Sequence, residues 1–179
     1  GKSPFLLFVG RLNLIKGPDL LLEAFNKISK DYPDYLLIFA GKDDGLEKNL
    51  KAVVKKNGLE KKVRFIGFVQ DKLKSELYHA ADLLVIPSRL EAMSIVVLES
   101  AVTGTPVLMT DTCGLNEMSG ENGAYSVFPD SVSIEDGLRD LLLNNDDLVL
   151  RGKKIKNYVE SFFSWSVIVN DYVEMYENI

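Results

Sequence analysis

A regular alternation constrains this chain more than any other feature: short apolar runs separated by longer amphipathic stretches. The runs are Phe5–Val9, Tyr35–Ala40, Val63–Ile66, Asp82–Pro87, Pro106–Thr110 and Ala124–Phe128. Each is nearly continuous in apolar residues, as expected of strands covered on both faces. The stretches between them, 18–31, 44–57, 71–80, 94–103 and 131–144, read as helices. The first opens with Pro18 and Asp19 and carries Leu21, Leu22, Phe25 and Ile28 at helical spacing. Gly17, Gly41, Gly67 and Gly104 mark the junctions. This pattern predicts one doubly wound α/β domain, a parallel sheet with helices on both faces.

Composition narrows the function classes. A chain of 179 residues buries a full core in one large domain. No apolar run reaches the ~18–20 residues of a membrane-spanning helix. A single cysteine, Cys113, excludes an internal disulfide, and with one histidine, His79, it cannot build a zinc site. The net charge of −5 is unevenly spread: residues 1–90 carry 16 basic and 11 acidic groups, residues 91–179 carry 5 and 15. A basic front half beside an acidic back half fits a local anion site better than a nucleic-acid-binding domain. The start Gly1-Lys2-Ser3, without an initiating Met, predicts a fragment of a longer chain.

The tail has a different character. Residues 150–162 read as a charged helix, and Ser164 as the N-cap of a last helix beginning at Trp165. Trp165, Ile168, Val169, Tyr172, Met175 and Tyr176 form one apolar stripe. That stripe packs either on its own domain or on a neighbour outside this chain.

In open α/β sheets, ligands bind beyond the carboxyl ends of the strands. After the first run comes Gly10-Arg11-Leu12-Asn13-Leu14-Ile15-Lys16-Gly17, whose spacing fits neither a dinucleotide loop nor a Walker A loop. It does offer a glycine for close backbone approach and two cations ahead of a helix. Arg11 and Lys16 are thus either a phosphate clamp or solvated surface charges. After the fourth run, Glu91 and Glu99 stand eight residues apart, with a helix starting near Ser94. Glu99 lies within Ile95–Val102, apolar nearly all round, so the helix is expected to be buried and the carboxylate paired. Free amides around Met93–Ile95 would favour an anion. His79 reads as a packing or capping residue, Cys113 as an inert loop residue, and Asp43-Asp44 and Asp146-Asp147 as turn pairs rather than metal ligands. Lys51, Lys55, Lys56, Lys61 and Lys62 form either a solvated face or a contact for an anionic membrane surface.

Taken in order, Gly10-Arg11, Lys16-Gly17, Arg64-Phe65-Ile66-Gly67, Ala80-Ala81-Asp82, Pro87-Ser88, Glu91 with Glu99, and Gly104-Thr105-Pro106-Val107 carry a resemblance. The chain resembles the C-terminal, Rossmann-like half of a retaining GT-B glycosyltransferase of group 1 (family four). The resemblance covers most of residues 5–120, and the closing Phe163-Ser164-Trp165 helix is also similar. It implies a donor-binding domain over residues 1–163 and, over 164–179, a helix that crosses to the N-terminal domain. It also implies a cytoplasmic enzyme of cell-surface polysaccharide, lipopolysaccharide or glycolipid synthesis, whose substrate is a nucleoside-diphosphate sugar and which needs neither metal nor other cofactor.

The resemblance also implies residue roles. Arg11 and Lys16 would bind the diphosphate, with Gly10 admitting it to the backbone, and with Glu91 they would form the catalytic set. Glu91 would bond the sugar hydroxyls, with Ala92 and the amides of Met93, Ser94 and Ile95 facing sugar and phosphate. Glu99 would accept the ribose hydroxyls. The base would lie on Phe68 and Val69, near Asp71 or Lys74. Asn116 stands where the family has proline before Glu117, and Asn122-Gly123 resembles the family's following turn. Two other readings remain: a nucleotide-binding regulatory module, and half of a sugar-nucleotide epimerase. The chain alone would bind a donor without efficient transfer.

Overall fold

The structure is a computed structural model describing residues 3–178. The Gly1-Lys2 start lies outside the described residues. Six parallel strands, β1 (Phe5–Val9), β2 (Leu36–Ala40), β3 (Val63–Gly67), β4 (Leu83–Ile86), β5 (Val107–Thr110) and β6 (Tyr125–Val127), form one sheet in the order β3-β2-β1-β4-β5-β6. From β1 the chain winds outward to β3, then returns to the other side of β1 at β4. The switch point of the doubly wound sheet therefore lies between β1 and β4, where such sheets open a crevice.

Helices α1 (Pro18–Ile28), α2 (Glu47–Lys56), α3 (Asp71–Ala80), α4 (Ile95–Ala101), α5 (Ser131–Leu143), α6 (Asn145–Phe162) and α7 (Trp165–Glu177) complete the fold. Alternate strand residues feed two cores. Leu6, Phe8, Leu37 and Phe39 meet Leu21, Phe25, Leu50, Ile134 and Leu138 from α1, α2 and α5. Leu7, Leu84 and Ile86 meet Tyr78, Val97 and Ala101 from α3 and α4 on the opposite face. α6 wraps the edge, giving Leu148 to the first core and Ile155 and Val159 to the second. Each such leucine, isoleucine, valine or phenylalanine, fully buried, contributes roughly 1.5–3 kcal/mol.

Several boundaries differ from the sequence reading, each for a local reason. The first helix ends at Ile28 rather than residue 31, where the Ser29 hydroxyl bonds back to the Asn26 carbonyl at 2.9 Å. The second begins at Glu47 because Asp43 Oδ1 accepts the amides of Gly45, Leu46 and Glu47. Those same amides hold the Asp43 carboxyl below its ordinary value. α6 starts at Asn145, not at 150, because Asn144 caps the amides of Asp146 and Asp147. Strand ends move by one residue, and two 3₁₀ turns, Asn116–Met118 and Gly120–Asn122, precede β6.

α4 is not buried all round. Val97, Ser100 and Ala101 face the core, while Ile95 and Val102 are 61% and 46% exposed. With three β-branched residues in its first turn and only seven residues in all, α4 survives on that one packed face. α7 buries none of its residues: Trp165 is 81% exposed, Val169, Tyr172, Met175 and Tyr176 are exposed, and Ile168 is only half-buried. Packing of the whole stripe on its own domain is therefore overturned. Ser164 occupies the cap position of α7, but its hydroxyl meets Ser166 Oγ rather than a helix amide. No helix among the described residues is long and apolar enough to cross a membrane.

Candidate functional site

The two loops that leave the switch point are fastened to each other. Gly17, at φ 68, lies so close to β4 that a Cβ there would stand 2.0 Å from the Pro87 carbonyl oxygen. Arg89 then ties the loop after β4 to the loop after β1. Its amide donates to the Ile15 carbonyl at 2.7 Å, and its guanidinium grips both oxygens of Asp19 at 2.9 and 2.7 Å. This fork-to-fork pair is the geometry arginine makes best. The Asp19 bond holds the Arg89 guanidinium above its ordinary pKa.

Inside this clasp, Lys16 Nζ donates to Glu91 Oε1 at 2.8 Å, and Ser88 Oγ donates to the same oxygen at 2.5 Å. Glu91 Oε2 has no partner among the described residues. The Glu91 side chain is only 9% exposed, so one acceptor waits in a nearly dry place beside a cation. The Glu91 amide is held by the Thr112 carbonyl and the Ser94 amide by the Cys113 carbonyl. The expected Ser94 amide is therefore already spent, leaving those of Ala92, Met93 and Ile95 in the loop and first helical turn. Ala92 and Met93 are exposed.

Arg11 points the other way. Its Nη1 meets Asp44 Oδ2 at 3.2 Å, with both side chains well exposed. Such a pair contributes about 0–1 kcal/mol, so the guanidinium is released to a competing anion at little cost. Gly10 and Gly41 touch backbone to backbone; a Cβ on Gly41 would lie 1.8 Å from the Gly10 carbonyl oxygen. Beside this contact a cavity of about 340 Å³ is lined by Gly10, Arg11, Lys42, Phe68, Val69 and Lys74. Val69 is its buried wall and Phe68, 69% exposed, its open rim.

Lys74 also borders a second cavity, of about 330 Å³, with Asp71, Tyr78 and Glu99. Here Lys74 Nζ donates to Glu99 Oε1 at 2.7 Å and Tyr78 OH donates to Glu99 Oε2 at 2.8 Å. Burial and the Glu99 carboxylate push the Tyr78 hydroxyl far up, so it remains a donor. Asp71 holds a positive φ of 49, the one such non-glycine residue among those described.

The structure thus brings Gly10, Arg11, Phe68, Val69 and Lys74 to one cavity, and Lys74, Asp71 and Glu99 to the next. Lys16, Glu91 and Ser94 gather at the loop clasp. Sequence reasoning missed Tyr78, Ser88's contact and the Arg89–Asp19 clasp. In the pattern Leu77-Tyr78-His79 it is Tyr78 that packs, whereas His79, read as a packing or capping residue, is exposed with its Nδ1 against the Ser75 carbonyl. Cys113 is buried, and burial pushes its thiol up, so it stays inert. Asn122 Nδ2 donates to the Glu117 carbonyl at 2.6 Å, closing the turn that contains Asn116. No group of three or more metal-ligating side chains stands together among the described residues.

Comparison with known proteins decides the family. The sequence profile of "Glycosyl transferases group 1" matches residues 1–160. The chain belongs to that family. It is 34% identical to an uncharacterized glycosyltransferase of Methanocaldococcus jannaschii, over 96% of this chain and 44% of that protein. It is 32% identical to the D-inositol 3-phosphate glycosyltransferase of Corynebacterium urealyticum, over 96% of this chain and 42% of that one. The chain thus spans less than half the length of these relatives. Its fold is that of a GT-B C-terminal domain. The crystal structure of the C-terminal domain of a group 1 family protein from Francisella tularensis superimposes with a TM-score of 0.84 at 25% identity, covering 90% of this chain and 87% of that one. Anabaena HepE in complex with UDP-glucose shares the fold with a TM-score of 0.85 at 21% identity, over 98% of this chain and 49% of that one.

Proposed function

We propose that this chain is the donor-binding domain of a retaining glycosyltransferase, moving a sugar from a nucleoside-diphosphate sugar to an acceptor hydroxyl. The observation that carries the reading is the pairing at the switch point. A carboxylate only 9% exposed holds Lys16 in place and keeps one oxygen free, and Arg11, on the same β1–α1 loop, is held only weakly by the exposed Asp44. The diphosphate bridges Lys16 and Arg11 and meets the Ala92 and Met93 amides. The sugar hydroxyls donate to Glu91 Oε2. The ribose hydroxyls donate to Glu99, and the base lies along Val69 and Phe68.

As the bond from the anomeric carbon to the diphosphate oxygen breaks, its electron pair leaves with the diphosphate. Lys16 and the loop amides face that growing charge, and Arg11 joins them by exchanging its weak, exposed pairing with Asp44 for the diphosphate, so the charge is stabilised with little rearrangement. The reading requires no metal. The acceptor is bound by the N-terminal domain of the full enzyme, onto which α7 crosses, so this chain alone holds donor without efficient transfer. The full enzyme works in the cytoplasm, building polysaccharide, lipopolysaccharide or glycolipid, and the lysines of α2 and the following loop contact an anionic membrane surface there.

Thermal unfolding with UDP, GDP and ADP in the presence of EDTA tests the donor reading. At 100 times its Kd, a ligand stabilises by about 2.7 kcal/mol. In a domain of this size that raises Tm by roughly 5–11 °C. At least one diphosphate is expected to do so. No shift with any of the three at millimolar concentration, or a shift that requires magnesium, overturns the reading.

A further inference from the structure

The Glu99 carboxylate is held in an unusual way for a group facing a crevice. Lys74 and Tyr78 lie four residues apart on α3, hence on one face of the helix. From that face they reach across to α4, one to each oxygen: Lys74 Nζ to Oε1 at 2.7 Å and Tyr78 OH to Oε2 at 2.8 Å. A carboxylate offers about four acceptor sites, two on each oxygen. With one site on each oxygen engaged, the carboxylate is held at both ends and one acceptor site on each oxygen remains for a ligand. Two neighbouring hydroxyls of a ligand match that arrangement.

Tyr78 is only 2% exposed, and the space it fills would suit phenylalanine equally well. Burying a hydroxyl costs stability unless it finds a partner, and the partner here is the carboxylate. The backbone that carries the ring is itself anchored: the Tyr78 carbonyl accepts from Thr105 Oγ1 at 2.6 Å, and Thr105 is buried and bonded to Thr103. Lys74 meanwhile forms part of both cavities, so the pair spans the wall between them.

We propose that Tyr78 is a positioning residue for nucleoside recognition: its hydroxyl fixes the Glu99 carboxylate so that its two free acceptor sites take the 2′- and 3′-hydroxyls of the ribose together. Lys74 holds the other oxygen and lends its charge to the carboxylate while the crevice is empty. This inference rests on the assignment of the ribose to Glu99 made above, and it adds that selectivity for a ribose with both hydroxyls depends on a residue that never touches the ligand.

The test compares UDP (or GDP or ADP, whichever binds tightest) with its 2′,3′-dideoxy counterpart by calorimetry, on the native chain and on Tyr78→Phe. The native chain is expected to prefer the ribose form about 10- to 100-fold. In Tyr78→Phe the ribose form weakens about 5- to 20-fold while the dideoxy form is unchanged, because only the diol reads the carboxylate's orientation. A merely structural role would weaken both forms equally, and an unchanged preference in the variant overturns the role of Tyr78 while leaving the ribose assignment standing. No preference in the native chain overturns the ribose assignment and the inference together. Should Tyr78→Phe fail to fold, 3-fluorotyrosine placed at position 78 keeps both volume and hydroxyl. Its fluorine resonance should shift with the ribose form and not with the dideoxy form; equal shifts overturn the proposal.

Discussion

Gly17 and Gly58 provide a matched pair of perturbations, with φ of 68 and 69. Alanine at either site places a Cβ on a left-handed backbone, at roughly 1–2 kcal/mol. At Gly58 nothing lies within 4 Å of that Cβ, so the cost stops there. At Gly17 the Cβ would stand 2.0 Å from the Pro87 oxygen and 2.9 Å from its carbonyl carbon. Both neighbours are backbone, so relief requires the β1–α1 loop to leave the end of β4 by about 1 Å or more. That displacement strains the Arg89 amide bond to Ile15 and the Arg89–Asp19 fork. Each contributes about 1 kcal/mol in this half-buried place. The expected losses are about 3–4 kcal/mol for Gly17→Ala and about 1–2 kcal/mol for Gly58→Ala. Thermal unfolding followed by circular dichroism would then show Tm falling by roughly 6–16 °C and 2–8 °C respectively. Diphosphate affinity should fall only in Gly17→Ala, since Lys16 moves with that loop. Equal Tm losses in the two variants, or unchanged affinity in Gly17→Ala, would refute the idea that the loops are clasped by this contact.

Further outcomes can be checked directly. Lys16→Ala should weaken the diphosphate about 10- to 100-fold in calorimetry, as expected for loss of a hydrogen bond between charged groups, without unfolding the domain. Glu91→Gln should weaken the nucleotide sugar more than the corresponding nucleoside diphosphate, measured side by side, since only the sugar also loses the Glu91 Oε2 contact. Asp130 caps α5 through the amides of Ser133 and Val132, which with the Ser133 hydroxyl hold its carboxyl below the ordinary aspartate value. Its contribution is therefore complete above about pH 4 and lost as pH falls through the lower folded value. Urea unfolding should show Asp130→Ala about 1 kcal/mol less stable at pH 7 and closer to native at pH 2–3, with Asp130→Asn keeping the cap at both. Light scattering over a concentration series should detect self-association of the intact chain through α7, abolished by truncation after Ser161.

Much of the fold was legible because the signals are local and repeated. Strands covered on both faces need unbroken apolar runs, and β1 through β6 fall within a residue or so of them. What escaped are features made by side chains that reach a backbone a few residues away. In the sequence Asp43 reads as half of a turn pair and Asn144 as the end of the helix over 131–144, yet they set where α2 and α6 begin. The character of α4 escaped for another reason: an all-apolar string signals burial, but on one short helix over a sheet only one face can be covered. At the site, spacing alone drew attention to Arg11, Lys16, Glu91 and Glu99. It could not pair Lys16 with Glu91 or Glu99 with Tyr78, since those partners lie on different elements and meet only when the sheet is wound.

The central claim is that the crevice between β1 and β4 receives a nucleoside diphosphate. A crystal structure of this chain grown with the tightest-binding diphosphate in EDTA tests it most directly. Phosphate oxygens are expected within about 3 Å of Lys16 Nζ, with the ribose hydroxyls on Glu99. A nucleotide bound elsewhere, for instance in the hollow formed by Tyr32, Pro33 and Tyr35 at the opposite end of the sheet, would contradict it.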